Sequence, residues 1–189
     1  LFFQNHGLFK LSNRPQWYTV SKRSRTYVQT IISKISGEHF KNYKVNKIRS
    51  KNNGVDLYYG GKSEFFDYDK VIMATHADEA LAMIENPTDQ EKEILSNFSY
   101  KENLAYIHTD ETVMPKNKKA WSSWNSSMKK NEIEKNSITY WLNLLQNLEC
   151  EENIFLTLNP YFEIEDSKIL KKVKFTHPYF DQSALNYQS

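Results

Sequence analysis

Apolar residues recur at helical or strand spacing in the first third of the chain, and the changes in spacing predict its elements. Residues 1–12 look like the end of a helix that closes near Gly7, because glycine suits the left-handed cap. Residues 14–20 favour an extended segment, since they combine a proline with Trp, Tyr, Thr and Val. Residues 26–35 carry apolar side chains at helical spacing, and Gly37 then predicts the helix end.

Strand patterns follow. Residues 43–49 alternate Tyr, Val and Ile with Lys and Asn, which predicts a half-exposed strand. Two more alternating runs, 55–59 and 63–69, flank Gly60-Gly61. A Gly-Gly pair between alternating runs predicts a β-hairpin.

A short continuous apolar run comes next, and the chain is organised around it. Residues 71–74 predict a strand buried on both faces, and Thr75-His76 end it. Asp78 and Glu79 follow in the first turn of a predicted helix, where carboxylates suit the helix dipole. A turn of this kind lies at the carboxyl end of a sheet, where open α/β folds bind ligands. A plain βα unit without a ligand explains the pattern equally well.

The second half of the chain predicts an antiparallel sheet. Thr88 and Glu91 form a capping box for a helix over 89–97. Polar connections then separate four strand-like segments, which span residues 103–110, 120–125, 137–143 and 153–160. The tail predicts a short strand, a turn at His177-Pro178 and the start of a helix.

Composition narrows the class of protein. The 189 residues carry a formal net charge of +2 with scattered Lys and Arg, so we expect no nucleic-acid partner. The single cysteine, Cys150, excludes an internal disulfide and fits a reducing compartment, the cytoplasm. No apolar run approaches the roughly 18 residues of a membrane span. The chain starts at Leu1 as if within an element, and we interpret it as an interior part of a longer protein.

Three other kinds of site find little support. Metal ligands need a spacing of Cys and His that is absent from the sequence, so we expect no metal. The serines lie outside any GxSxG context, which argues against a serine hydrolase. Lysines 116, 118 and 119 beside Trp121 are more typical of a solvated hairpin than of a nucleic-acid surface.

A combination of short motifs resembles one family. In chain order the motifs are RPQWYTVS, RTYV, VIMATHADEAL, NLAYIHTD, AWSSWN, TYWLN, LTLNP and HPYFD. Together they resemble the middle of the bacterial NAD/FAD-binding proteins related to the flavin-containing amine oxidases. The resemblance implies the FAD cofactor and a two-dinucleotide-type FAD-binding domain whose last parallel strand follows a β-meander. No GxGxxG phosphate loop is present, so we expect the chain alone not to hold FAD.

The resemblance also implies residues near the cofactor. The implied FAD contacts are Val45, Ala74, Thr75 and His76. Relatives carry Gly-Gly where this chain has Lys22-Arg23, and glycines there allow close approach of the backbone. The two cations could instead pair with a phosphate or an acidic lipid head, which leaves peripheral contact with a membrane open.

The predicted second sheet supplies candidates for a substrate pocket, namely Trp124, Asn125, Trp141 and Asn143. Alternation puts Thr139, Trp141 and Asn143 on one face of their strand, and Tyr140 and Leu142 on the other. We expect the first face to line a cavity, because it mixes aromatic and amide groups, and the second face to pack against a helix. The alternative is that all these residues serve core and cross-strand packing.

The sequence as a whole predicts a fragment in which an α/β part of an FAD-binding domain is joined to an antiparallel sheet, so that the fragment is α+β overall. Its predicted parts are the end of a substrate-domain helix (1–12), part of the FAD domain (13–85), the antiparallel substrate-domain sheet (86–176) and a return to the FAD domain (177–189). The expected function is an amine-oxidase-like, FAD-dependent oxidoreductase that acts on an amine or a lipid acyl chain. The alternative is a non-catalytic binding module that keeps the flavoprotein scaffold.

Overall fold

The computed structural model describes residues 18–60, 65–129 and 132–188, together with positions 7, 10, 12, 13, 15 and 16. This part of the chain is α+β, with two antiparallel sheets. Within it, no helix is both long and apolar enough to cross a membrane. Its helices are α1 (Arg23–Lys34), α2 (Ala77–Met83), α3 (Asp89–Ser96), α4 (Leu142–Gln146) and α5 (Gln182–Asn186).

The first sheet is a three-stranded meander. Its strands are β1 (Val45–Lys51), β2 (Gly54–Tyr59) and β3 (Phe65–Tyr68), in the order β1-β2-β3. Gly54 begins β2 at φ 117°, and a Cβ there would lie 2.6 Å from the carbonyl oxygen of Tyr68. Only glycine fits this turn without a shift of the backbone. The predicted meander is confirmed, except that Gly61 and positions 63 and 64 lie outside the described residues.

Helices α2 and α3 follow the meander and are tied to it. Ala80 of α2 is buried, and the N–H of Glu85 donates to the carbonyl of Ile48 in β1 at 2.8 Å. Thr88 and Glu91 form the predicted capping box at the start of α3. Each side chain accepts from the other residue's backbone N–H, which satisfies two otherwise unpaired donors.

The second sheet has five strands in the order β5-β6-β7-β4-β8, and every pairing in it is antiparallel. Its strands are β4 (Ser99–His108), β5 (Trp124–Lys129), β6 (Glu132–Trp141), β7 (Phe155–Leu158) and β8 (Ile169–Tyr179). The four predicted strands are found, although β5 begins four residues later than expected. The predicted polar connection after β6 begins instead as α4.

The two faces of the second sheet differ in burial. On one face, which we call the covered face, His108, Phe155 and Thr157 are fully buried. Trp121 packs against this face, with its ring edge-on to Trp141 and Phe155. On the opposite face, which we call the open face, the large apolar side chains are half-buried or exposed, and the small Ala105 is buried. Strand register places on it Trp124, Ile138, Tyr140, Leu156, Leu158, Ile107 and Val173.

The prediction of a buried strand over 71–74 is wrong. These residues form no strand, and Ile72 is 93% exposed. The physical reason is that no described strand lies beside them to pair with. Parallel pairing in the described residues is limited to an isolated bridge between Ile48 and Ile84. An apolar run alone fixes neither its neighbours nor its depth.

Two predictions about the chain ends also need comment. The turn expected at His177-Pro178 is wrong, because both residues lie in β8 and pair with Lys101 and Tyr100. The helix end expected over 1–12 lies mostly outside the described residues, although Gly7 does have the left-handed φ of 64°. Within 14–20, Arg14 and Trp17 are also outside them, and the described positions form no regular element.

Candidate functional site

Two stretches of main chain, 43–46 and 71–75, face each other across an open groove of about 690 Å³, which we call the β1 groove. Ile48, Leu57 and Met83 contribute apolar side chains to its lining. Because consecutive residues line both walls, backbone amide and carbonyl groups are part of the surface. The volume lies within the range of about 300–1,000 Å³ typical of small-molecule sites.

The β1 groove gathers three of the four residues implied as FAD contacts. Val45, Ala74 and Thr75 line it, although 29 positions separate the first two in the chain. His76 does not, because its ring stacks instead on Tyr100. The contact of these residues with FAD stays a prediction.

The chemistry of the β1 groove suits the adenosine end of a dinucleotide. A bound purine needs apolar contacts for the faces of its ring and backbone N–H and C=O groups that hydrogen-bond its edge, and the groove offers both. Charged residues at the groove are limited, among those described, to Lys44 and Glu79. The pyrophosphate would need an N–H cradle, and no glycine-rich loop in this sequence provides one. The residues therefore fit one end of FAD.

An ion network beside this groove joins β1 to Glu85, which follows α2. The Glu85 carboxylate accepts from Lys47 Nζ at 2.9 Å and from both Nε and Nη2 of Arg49. The hydrogen bonds from Arg49, and to a smaller extent the one from Lys47, lower the pKa of Glu85 from 4.5 to about 2. The network therefore holds β1 against the end of α2 at neutral pH.

Lys22 and Arg23 occupy the two positions where the resemblance implied glycines, and the structure shows their backbone conformation. Both residues have positive φ, at 61° and 70°. This left-handed conformation costs glycine little, whereas other residues adopt it with strain. The backbone at Lys22 and Arg23 therefore has the conformation that glycine adopts most easily. Helix α1, which starts here, has no buried residue.

The structure places the four predicted pocket residues on different faces. Trp124 lies on the open face, 53% exposed, with its ring edge-on to Tyr140. Asn125 bonds to both backbone groups of Ser122. None of the described cavities is lined by Trp124 or Asn125.

Trp141 and Asn143 hold loops in place. The indole N–H of Trp141 donates to Asn153 Oδ1 at 2.9 Å. Asn143 accepts from the N–H of Ile154 at 2.7 Å and donates to the carbonyl of Glu152 at 2.9 Å. The expected orientation is therefore reversed, because Trp141 lies on the covered face and Tyr140 lies on the open face beside Trp124. Leu142 leaves the strand altogether and begins α4.

A chain of buried polar groups crosses the covered face, and no pattern in the sequence predicted it. The backbone N–H of Asp110 donates to Nδ1 of His108 at 3.1 Å. Nδ1 therefore carries no proton, so Nε2–H donates to Thr157 Oγ1 at 2.8 Å. The hydroxyl groups of Thr157 and Thr139 share a further hydrogen bond, with their Oγ1 atoms 2.9 Å apart. Burial lowers the pKa of His108, which keeps the imidazole neutral.

Asp110 anchors the loop that covers this face. Burial alone would raise the pKa of its carboxyl, but hydrogen bonds from Thr112 and from the Glu165 N–H lower it to about 2. Lys168 lies 3.5 Å from the same carboxylate. Asp110 is therefore ionised, and it joins the segment after β4 to the segment before β8.

Comparison with known proteins shows the class of fold. The chain matches no family model and no curated protein sequence. A solved structure, the crystal structure of a CLA-producing fatty acid isomerase from P. acnes, matches with a TM-score of 0.53 and 10% identity. The match covers 80% of this chain and 39% of that chain. At this identity the likeness shows the fold alone, and this chain spans well under half of the isomerase.

Proposed function

We propose that this chain forms part of an FAD-dependent enzyme of the amine-oxidase-like class that acts on a lipid acyl chain. The observation that carries the proposal is the β1 groove. Val45, Ala74 and Thr75 come from separate motifs that resemble those of flavoproteins, and they line one groove whose chemistry suits adenosine. Unrelated packing positions would have no reason to meet in such a place.

The open face favours a lipid over an amine. Its centre is apolar and aromatic, and strand register puts no Asp or Glu among Ile138, Tyr140, Leu156 and Leu158, where an ammonium group would need a carboxylate partner. Trp124 and Met128 remain more than half exposed, so this face has apolar area to give to a ligand. The shared fold with a fatty acid isomerase supports the same choice of substrate class.

FAD, when bound, supplies a hydride acceptor for C–H oxidation. The residues of this chain would then have two tasks. Val45, Ala74 and Thr75 would hold the adenosine end, and the open face would orient an acyl chain by apolar contact while excluding water.

The test is a pair of assays on the full-length protein as its gene encodes it, loaded with FAD. Oleate and linoleate are supplied in one set and benzylamine in the other. We expect a change in the double bonds of a fatty acid, measured by gas chromatography and mass spectrometry, and no hydrogen peroxide from the amine. Oxidation of benzylamine with unchanged fatty acids would overturn the lipid assignment. A protein that holds no flavin would overturn the enzyme and favour a binding module.

A further inference from the structure

Tyr100 of the second sheet closes the start of α2. The N–H of Ala77 donates to the Tyr100 hydroxyl at 2.6 Å. The Tyr100 ring stacks on His76, with the ring centroids 4.2 Å apart and the planes at 16°. His76 precedes α2 but gives it no side-chain cap. Tyr100 therefore supplies, from 23 residues away, the cap that the local sequence lacks.

The capped turn lies between two grooves. Thr75 lines the β1 groove, and it also lines a second groove of about 470 Å³, to which Ala77 and Tyr100 contribute. Tyr100 does not line the β1 groove. Any effect of Tyr100 on a ligand in the β1 groove must therefore pass through the turn.

The turn has little else to fix it. Residues 71–74 lead into it without strand pairing, and the Thr75 hydroxyl makes only a 3.3 Å bond to the neighbouring carbonyl of His76. The Tyr100 hydroxyl and ring are thus the long-range contacts that the structure gives to residues 75–77 from the second sheet.

We propose that Tyr100 is a positioning residue, which acts through His76 and Ala77 to hold Ala74 and Thr75 in the conformation that lines the β1 groove and contacts the cofactor. The inference rests on the proposed function, because it takes FAD as the ligand of the β1 groove. It also gives the two sheets a physical link, since a strand of the sheet assigned to substrate orders a wall of the groove assigned to cofactor.

The size of the effect follows from helix capping. Loss of a side-chain cap lowers the equilibrium constant for an ordered helix end by roughly two- to thirty-fold, and the ordered fraction falls by the same factor where the uncapped end is mostly disordered. A ligand that binds only the ordered turn loses affinity in proportion to the ordered fraction. Removal of the Tyr100 hydroxyl should therefore raise the Kd for FAD by roughly five- to ten-fold, near the middle of that range.

The experiment compares Tyr100→Phe with Tyr106→Phe in the full-length protein. Tyr106 lies on the same strand, and its ring contacts Lys172 far from the turn. FAD is titrated into flavin-stripped protein and followed by flavin fluorescence. Thermal unfolding and amide hydrogen exchange at Ala77 are measured without FAD. We expect weaker FAD binding and faster Ala77 exchange in Tyr100→Phe alone.

The outcomes separate the two hypotheses. A wild-type protein that binds no FAD overturns the proposed function, and the inference falls with it. A wild-type protein that binds FAD, with an unchanged Kd in Tyr100→Phe, overturns the inference alone, even if the melting temperature falls. Should Tyr100→Phe fail to fold, His76→Ala removes the stacked ring and leaves the hydroxyl. An unchanged Kd in that variant is equally contrary to the inference.

Discussion

Replacement of Thr157 by valine should destabilise the protein strongly, although the side chain hardly changes in size. The Thr157 hydroxyl accepts from His108 Nε2 and shares a second hydrogen bond with the Thr139 hydroxyl. Valine removes both hydrogen bonds and leaves the imidazole N–H and the Thr139 hydroxyl buried beside a methyl group. Since Thr157 is 0% exposed, no solvent can replace the lost partner.

The expected magnitude comes from these two groups. A buried polar group left without its partner costs about 1–3 kcal/mol, so the pair costs about 2–6 kcal/mol. Thr157→Ser is the matched control, because it keeps the hydroxyl and loses a single methyl group worth about 1 kcal/mol. The valine variant should therefore be the less stable of the two by at least about 1 kcal/mol.

Equilibrium urea unfolding, followed by tryptophan fluorescence, measures this difference. Trp121 and Trp141 lie on the same covered face and should report its loss. With a slope near 2 kcal/mol per molar urea, the valine variant should unfold at a urea concentration about 1–3 M below wild type and at least about 0.5 M below the serine variant. A valine variant as stable as the serine variant would refute the hydrogen-bond chain.

The same network predicts a pH dependence. Burial lowers the pKa of His108, so the unfolded chain takes up a proton that the folded chain excludes. Its contribution to stability is complete above the ordinary value of 6.5 and is lost as the pH falls below it, by at most about 1.4 kcal/mol per pH unit. The Asp110 carboxylate near His108 opposes this lowering of the His108 pKa, and Lys168 in turn lies beside Asp110. His108→Gln should remove the slope just below pH 6.5, and a slope that persists would contradict the assignment.

Two further substitutions test other parts of the structure. Glu85→Gln should lower the melting temperature at neutral pH. The difference in melting temperature from wild type should disappear as the pH falls from 4.5 towards 2, because the wild-type carboxylate becomes protonated over that range and its contribution to stability is lost. A difference that does not depend on pH would argue against the ion network. Trp124→Ala should weaken the binding of oleate, measured by calorimetry, without loss of stability. Trp141→Ala should instead lower stability, because the Trp141 indole donates a hydrogen bond to Asn153. The reverse pattern would restore Trp141 as the pocket residue.

Local patterns in the sequence predicted local structure well. Thr88 and Glu91 are three residues apart and form the expected capping box, because the motif contains both partners of each bond. Alternation likewise located the strands of the meander, whose turn at Gly54 requires a glycine. The antiparallel second sheet followed from the same kind of pattern.

Contacts between distant residues were beyond such patterns. Alternation showed that Trp141 and Tyr140 lie on opposite faces, but which face is covered depends on Trp121 and on the pairing of β6 with β7. The strand predicted over 71–74 failed for the same reason, since pairing needs a neighbour that the run itself does not specify. Tyr100 was missed because the amide it caps is 23 residues away.

The FAD content of three full-length proteins tests whether the β1 groove holds the adenosine end of FAD. Val45→Glu places a carboxylate in the groove, and Val55→Glu places one on β2 at a position that does not line it.

Each protein is purified without added flavin, and its FAD is measured from the visible absorption spectrum. We expect stoichiometric FAD in the wild type and in Val55→Glu, and little or none in Val45→Glu, with all three proteins folded by circular dichroism. Full retention of FAD in Val45→Glu would contradict the assignment of the β1 groove to adenosine.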